Sequence, residues 1–213
     1  MSVHLRPEEI EAESFRIIDE EAGAHPWPAP EWQVIRRVIH TSADFDYCRT
    51  VVMSDDAVAA GVAALKGGQG LVTDTNMALA GINKGNLVRH GSTAACFIAD
   101  PLVAATASAA GVTRSIVAMR RATADPGNGI FVIGNAPTAL FELLRQVREE
   151  GVRPSLVIGF PVGFVGAAES KEELIMVARE HGIPFITARG RKGGSNVAAA
   201  AVNALLILAG EPG

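Results

Sequence analysis

Cysteine is scarce in this chain. Two occur among 213 residues, Cys48 and Cys96, with no CxxC and no Cys/His cluster. That excludes a disulfide scaffold and a structural zinc site. Tyrosine (one) and tryptophan (two) are nearly absent, and cationic residues do not predominate, since the formal net charge is −4. A mildly acidic chain poor in large rings lacks the electrostatic footprint of a nucleic-acid binder. Long hydrophobic runs are missing too. Val197 to Ala209 is interrupted by Asn203 and falls short of the ~20 residues of a membrane span. The opening MSVHLRPEEIEAES has acidic residues where a secretory signal has its apolar core, so a cytoplasmic location is expected. No internal repeat or low-complexity tract stands out, and a hydrophobic content of 48% excludes disorder.

Glycine (22) and proline (11) are plentiful, and they fall at the ends of apolar runs, as turns between compact elements do. The length favours one domain, here residues 1–213. The first part reads as helical. Leu5 to Ala22 carries Pro7 in its first turn and places Ile10, Ser14, Ile17 and Ile18 on one side. After the rigid AHPWPAP segment, Glu31 to Thr41 carries Trp32, Ile35, Val38 and Ile39 as an apolar stripe. Ser54 to Lys66 opens on a Ser-Asp-Asp cap and stops at Gly67-Gly68.

From residue 70 onward short apolar runs alternate with helices. The runs are Gly70–Thr73, Ala94–Ala99, Ile130–Ile133, Leu156–Gly159 and Pro184–Thr187. The helices expected between and after them include Asp74–Gly81, Pro101–Ala110, Thr113–Ala124, one ending near Glu150, Ala167–His181 and Asn196–Ala209. Five strands alternating with helices predict a single α/β domain, a mainly parallel five-stranded sheet with helices on both faces. Ligands of such sheets bind beyond the carboxyl ends of the strands, where the loops here are rich in Gly, Asn and Arg.

Neither nucleotide fingerprint is present. Gly159-x3-Gly163-x2-Gly166 is not GxGxxG, and in RGRKGGS the lysine, Lys192, precedes the glycines. These glycines serve equally well as tight turns or as points where a broad, flat ligand approaches the backbone. Asn135 and Pro137 stand at a strand-to-helix junction. There Asn135 is either a plain N-cap or part of a backbone N–H cluster facing a carboxylate.

His40 is the side chain suited to moving a proton near neutrality. Arg36 and Arg37, at i−4 and i−3, share its face and would suit an anionic substrate. A lone histidine is more often structural. Asp44, at i+4, would orient the imidazole if the helix ran on. Arg114, Arg189, Arg191 and Lys192 taken singly are surface charges, whereas gathered at strand ends they make a positive cleft suited to a polycarboxylate. Ser14 on the inward face of the first helix is either a hydrogen-bond donor or a packing residue. No Ser-His-Asp order, catalytic carboxylate pair or metal constellation stands out.

Five segments together carry a resemblance. Val38–Asp46 (VIHTSADFD), Thr73–Lys84 (TDTNMALAGINK), Gly134–Phe141 (GNAPTALF), Gly159–Lys171 (GFPVGFVGAAESK) and Gly190–Ala200 (GRKGGSNVAAA) resemble, in order, the precorrin-8X methylmutase family. The match runs from about Ser14 to Leu206, and its wording is nearer the cobalt-precorrin-8 branch, although Ser42 stands where a threonine is expected there. The resemblance implies an isomerase of cobalamin biosynthesis that moves a methyl group from C-11 to C-12 of a corrin precursor, giving hydrogenobyrinate or cobyrinate. It implies a catalytic role for His40 and substrate contacts for Ser14 and Arg37. It also implies a homodimer with active sites near the subunit interface, and no added organic cofactor, the substrate itself being able to carry cobalt. The substrate class is a tetrapyrrole polycarboxylate, which glycines would accommodate by its plane and Arg37, Arg114, Arg191 and the Asn135 backbone by its carboxylates. Tight retention of the corrin product, with handover to the next pathway enzyme, is compatible with this reading. Two rivals remain at this point: a non-catalytic corrinoid carrier and a nucleotide-dependent α/β enzyme.

Overall fold

A computed structural model describes residues 6–211. Leu5, the expected first residue of the first helix, lies outside them. The chain runs α1 (Pro7–Ala22), α2 (Ala29–Ser42), α3 (Tyr47–Thr50), β1 (Val51–Met53), α4 (Ala57–Lys66), β2 (Gly70–Thr73), α5 (Asn76–Gly81) and α6 (Lys84–Arg89). It continues β3 (Ala94–Ala95), α7 (Pro101–Ala110), α8 (Arg114–Thr123), β4 (Asn128–Ile133), α9 (Pro137–Glu149), β5 (Leu156–Gly159), α10 (Ala167–His181), β6 (Phe185–Ala188) and α11 (Ser195–Gly210).

The strands form one six-stranded sheet in the order β1-β6-β5-β4-β2-β3. Every pairing is parallel except the edge pair β1–β6, in which Val51, Val52 and Met53 face Ala188, Thr187 and Ile186. The sixth strand, β1, is the departure from the expected five. Three residues are too few to show a period of two, and only the antiparallel ladder with β6 makes them a strand. At the other edge, β3 is two residues long rather than six, because the chain leaves the sheet at Cys96.

Side chains alternate across the sheet, so each strand feeds two cores. Ile130 and Val132 join Leu71, Leu156, Ile158 and Ile186 beneath α2, α4 and α11. Phe131 and Ile133 join Val72, Val157 and Phe185 beneath α8, α9 and α10. Burial on both faces is why these strands read as unbroken apolar runs. Helix α7 packs against α8 and closes a small third cluster around Val103, Ala107 and Val117.

Helix α2 is built as its stripe predicts. Pro28 stands at its N-cap, and Trp32, Val34, Ile35, Val38 and Ile39 are buried. It stops at Ala43, which adopts the left-handed conformation (φ 52°) and donates its N–H to the Ile39 carbonyl at 2.7 Å. Helix α1 is less regular than expected. Ile18 is buried, but Ile10 and Ile17 are exposed. No single helix among the described residues is long and apolar enough to cross a membrane.

Candidate active site

Helices α2 and α11 pack against each other on one face of the sheet, and α5 closes in beside α11. The approach is close: a Cβ on Gly81, the last residue of α5, would lie 2.9 Å from the Ala199 Cβ. Between these elements lies an open groove of about 380 Å³, lined by Arg37, His40, Thr41, Gly81, Asn196, Ala199, Ala200 and Asn203. Small residues make its floor and polar ones its walls.

His40 occupies the last turn of α2 and is exposed to the groove. Its ring stands edge-on to Phe15 of α1, with centroids 5.0 Å apart and planes at 68°. That contact sets an apolar ring against one side of the exposed imidazole. Arg37, one turn back, is half-buried and tied to Glu11 at 3.1 Å. Arg36 does not line the groove: it lies over the Phe15 ring, 4.4 Å from the centroid, and pairs with Asp19 at 3.0 Å. Of the two guanidiniums on the histidine face, the tertiary contacts therefore bring one to the groove.

Asp44 does not orient His40. Helix α2 has ended by then, and the Asp44 carboxylate pairs with Lys192 at 2.7 Å, while its other oxygen accepts the Asp46 N–H at 3.0 Å. Lys192 also pairs with Asp46 at 2.6 Å. The two carboxylates hold this ammonium well above the ordinary lysine range.

The remaining expected residues lie elsewhere on the single chain. Ser14 sits between Glu11 and Ile18 on the α2-facing side of α1, and its hydroxyl donates to the Ile10 carbonyl at 2.8 Å. Arg114 is the exposed first residue of α8, on the opposite face of the sheet. Arg191 is exposed in the loop after β6, its guanidinium 5.6 Å from the Phe164 ring.

Asn135 is not the N-cap of α9. That position is Ala136, and the cap is supplied from 60 residues away by Asp74. One Asp74 oxygen accepts the Gly134 N–H at 2.8 Å, and the other accepts those of Asn135 at 2.9 Å and Ala136 at 2.7 Å. Burial pushes this carboxyl upward, against the three N–H groups that pull it down. The cluster does face a carboxylate, but the protein's own. It also lies between β2 and β4, where the strand order reverses and a nucleotide phosphate would bind. An internal anion there opposes the nucleotide-dependent reading.

Sequence reasoning missed Thr41, Asn196 and Asn203. Asn203 bridges two chain segments, donating to the Gly81 carbonyl at 2.9 Å and accepting the Asn83 N–H at 2.8 Å. Asn196, two turns earlier, donates to the Thr41 carbonyl at 3.4 Å. A signal existed: two asparagines seven residues apart mark one face of an otherwise apolar helix. Chemically, the groove offers a proton donor and acceptor, one guanidinium, amides and a hydroxyl. Both cysteines lie outside it, and no cluster of three or more His, Cys, Asp or Glu capable of holding a metal occurs among the described residues.

Known proteins resemble this chain in both sequence and fold. The family model described as precorrin-8X methylmutase matches residues 9–208. A cobalt-precorrin-8 methylmutase of Salmonella typhimurium is 48% identical, covering 94% of this chain and 95% of its own. One from Priestia megaterium is 46% identical, covering 96% of this chain and 89% of its own. A crystal structure of the precorrin-8x methyl mutase from Thermus thermophilus superposes with a TM-score of 0.85 at 40% identity, covering 94% of this chain and 96% of that one. A family match over nearly the whole chain, with a solved member of the same fold, places the protein: it belongs to the precorrin-8X methylmutase family.

Proposed function

We propose that this isomerase moves a methyl group from C-11 to C-12 of cobalt-precorrin-8, or of its cobalt-free counterpart, to give cobyrinate or hydrogenobyrinate, with His40 as the general acid. The observation that carries the proposal is the exposed His40 imidazole beside Arg37 in a groove otherwise lined by small residues, amides and a hydroxyl. A methyl shift within one molecule needs no protein nucleophile. It needs the conjugated ring system polarised, and a proton or hydrogen bond from His40 to a ring nitrogen does that. General acid catalysis of this kind contributes about 10²–10⁴-fold, or roughly 3–5 kcal/mol. Arg37 serves a peripheral carboxylate, and the flat Ala199–Ala200 floor admits the plane of the macrocycle. The two bacterial relatives are named for the cobalt substrate, which favours that form. Cobalt enters as part of the substrate, and no organic cofactor is invoked.

The reading includes a homodimer. A groove of 380 Å³ is at the small end for drug-sized ligands, and a tetrapyrrole is larger than these. Exposed Ile10 and Ile17 on α1, with Phe164 (84% exposed) and Val165 (90%) beyond β5, supply apolar surface for a second copy. Its docking would bring further walls, and with them Ser14, Arg114 or Arg191, to the macrocycle.

The test is the visible spectrum of purified protein mixed with precorrin-8, with and without cobalt, beside His40→Ala. Migration changes the conjugated system and hence the colour. Conversion by the wild type, with the variant binding but slowed at least 100-fold, is the expected result. Binding without conversion by both proteins would instead establish a corrinoid carrier and remove the role given to His40.

A further inference from the structure

Lys171, in the second turn of α10, is completely buried (0% exposed). A lysine is almost never buried without a carboxylate partner. Among the described residues Lys171 has none: its neighbour Glu172 pairs with Arg189, and its own ammonium donates to the Lys192 main-chain carbonyl at 2.6 Å. Burial lowers its pKa to about 8, against a small upward pull from Glu172. A methionine or leucine would fill the same space without that desolvation, so this lysine does not serve core packing.

Its acceptor occupies a telling position. Lys192 belongs to the turn between Gly190 (φ 80°) and Gly194 (φ 141°), where glycines impose little restraint of their own. Its main chain is held by Lys171, and its side chain grips Asp44 and Asp46 directly after the helix that carries His40. Two residues on, Gly194 donates its N–H to the Phe160 carbonyl at 2.9 Å and begins α11, which presents Asn196 and Asn203. Lys192 thus links the segment that follows the His40 helix to the turn that leads into α11.

We infer that Lys171 is a positioning residue: by fixing the Lys192 main chain, it sets the spacing between the His40 wall and the Asn196 wall. The activity consequence rests on the function proposed above. The mechanical one does not. Misplacing catalytic groups by about 1 Å can cost on the order of 100-fold in rate.

Two variants test the relay from its two ends. Lys171→Met preserves length and apolar packing and removes the N–H donors. Lys192→Met, half-exposed, removes the grip on Asp44 and Asp46 without touching the core. Each should lower kcat about 10- to 100-fold while product affinity, read by spectral titration, moves less than threefold. The double variant should be no slower than the slower single one, as for two links of one chain. A folded Lys171→Met with kcat within twofold of wild type, or losses that multiply, would overturn the inference.

Backbone amide exchange reads the same relay without substrate. In Lys171→Met, exchange should accelerate together in residues 190–194 and 43–46, and acceleration confined to 190–194 refutes the coupling. Should Lys171→Met not fold, Lys192→Met decides by the same readout: faster exchange in 43–46 with 190–194 still protected by the Lys171 contact supports the relay, and a loosened 190–194 turn or an unchanged 43–46 overturns it. A wild type that fails to convert the substrate sinks the methylmutase reading and leaves the exchange result standing.

Discussion

Gly134→Ala is expected to damage both stability and catalysis, because the space beside Gly134 is occupied by main chain. A Cβ there would meet the Ser195 Cα at 2.6 Å, the Ser195 nitrogen at 2.9 Å and the Gly194 carbonyl oxygen at 3.1 Å. The first distance is about 1 Å inside the carbon–carbon optimum of roughly 3.5–4.0 Å. No rotamer change relieves it, so the first turn of α11 must move away from β4 by about that amount. Overpacking of this kind costs about 1–3 kcal/mol, which for a domain of this length lowers the melting temperature by roughly 2–12 °C. The same displacement shifts Asn196 relative to His40, which predicts a kcat lower by about 10- to 100-fold. The assay is thermal unfolding by circular dichroism together with the colour change on turnover. Gly210→Ala at the far end of the same helix is the control, since nothing beyond its chain neighbours and its own helix backbone lies within 4 Å of the added Cβ. That change should leave kcat intact and the melting temperature unchanged or slightly raised. A Gly134→Ala protein that melts and turns over like Gly210→Ala would refute the packing argument.

Acid stability depends on Glu142, which is 5% exposed. Burial raises its carboxyl, but hydrogen bonds from Arg145, Arg120 and Gln146 outweigh that and hold it at about 2. A carboxyl depressed in the folded state stabilises above the ordinary glutamate range and loses that contribution as pH falls from about 4.5 towards 2. With both guanidiniums partly solvated, the contribution is on the order of 1–2 kcal/mol. Glu142→Gln should therefore melt below wild type at pH 6 and close to it at pH 2.5, and an equal gap at both would contradict the assignment. Asp74→Asn retains one acceptor oxygen but turns an NH2 group toward at least one of the three backbone donors. It should lose about 1–3 kcal/mol in urea unfolding, and an unchanged midpoint would mean the Asp74 cap is dispensable.

Much of the fold was legible along the chain because its information is local. The α2 stripe, the Pro-initiated helices and the apolar runs of β2, β4, β5 and β6 follow from periodicities that neighbouring residues carry themselves. The five motifs likewise identified the family before any contact was known. His40 and Arg37 were recognisable as neighbours because i and i+3 share a helix face. The sheet order, the antiparallel β1 and the contents of the groove were not local. Strand β1 exists only through its ladder with β6, and Asn196 meets Thr41 from 155 residues away. Asn135 looked like a cap because asparagine caps helices in isolation, yet Asp74 took the N–H groups across the sheet. Asp44 looked like a partner for His40 until Ala43 turned left-handed and Lys192 claimed the carboxylate. Sequence alone determined the α/β class and the family, since each is written in short-range pattern. Tertiary structure decided which charges are already neutralised by partners distant in sequence, and so which remain to meet a substrate.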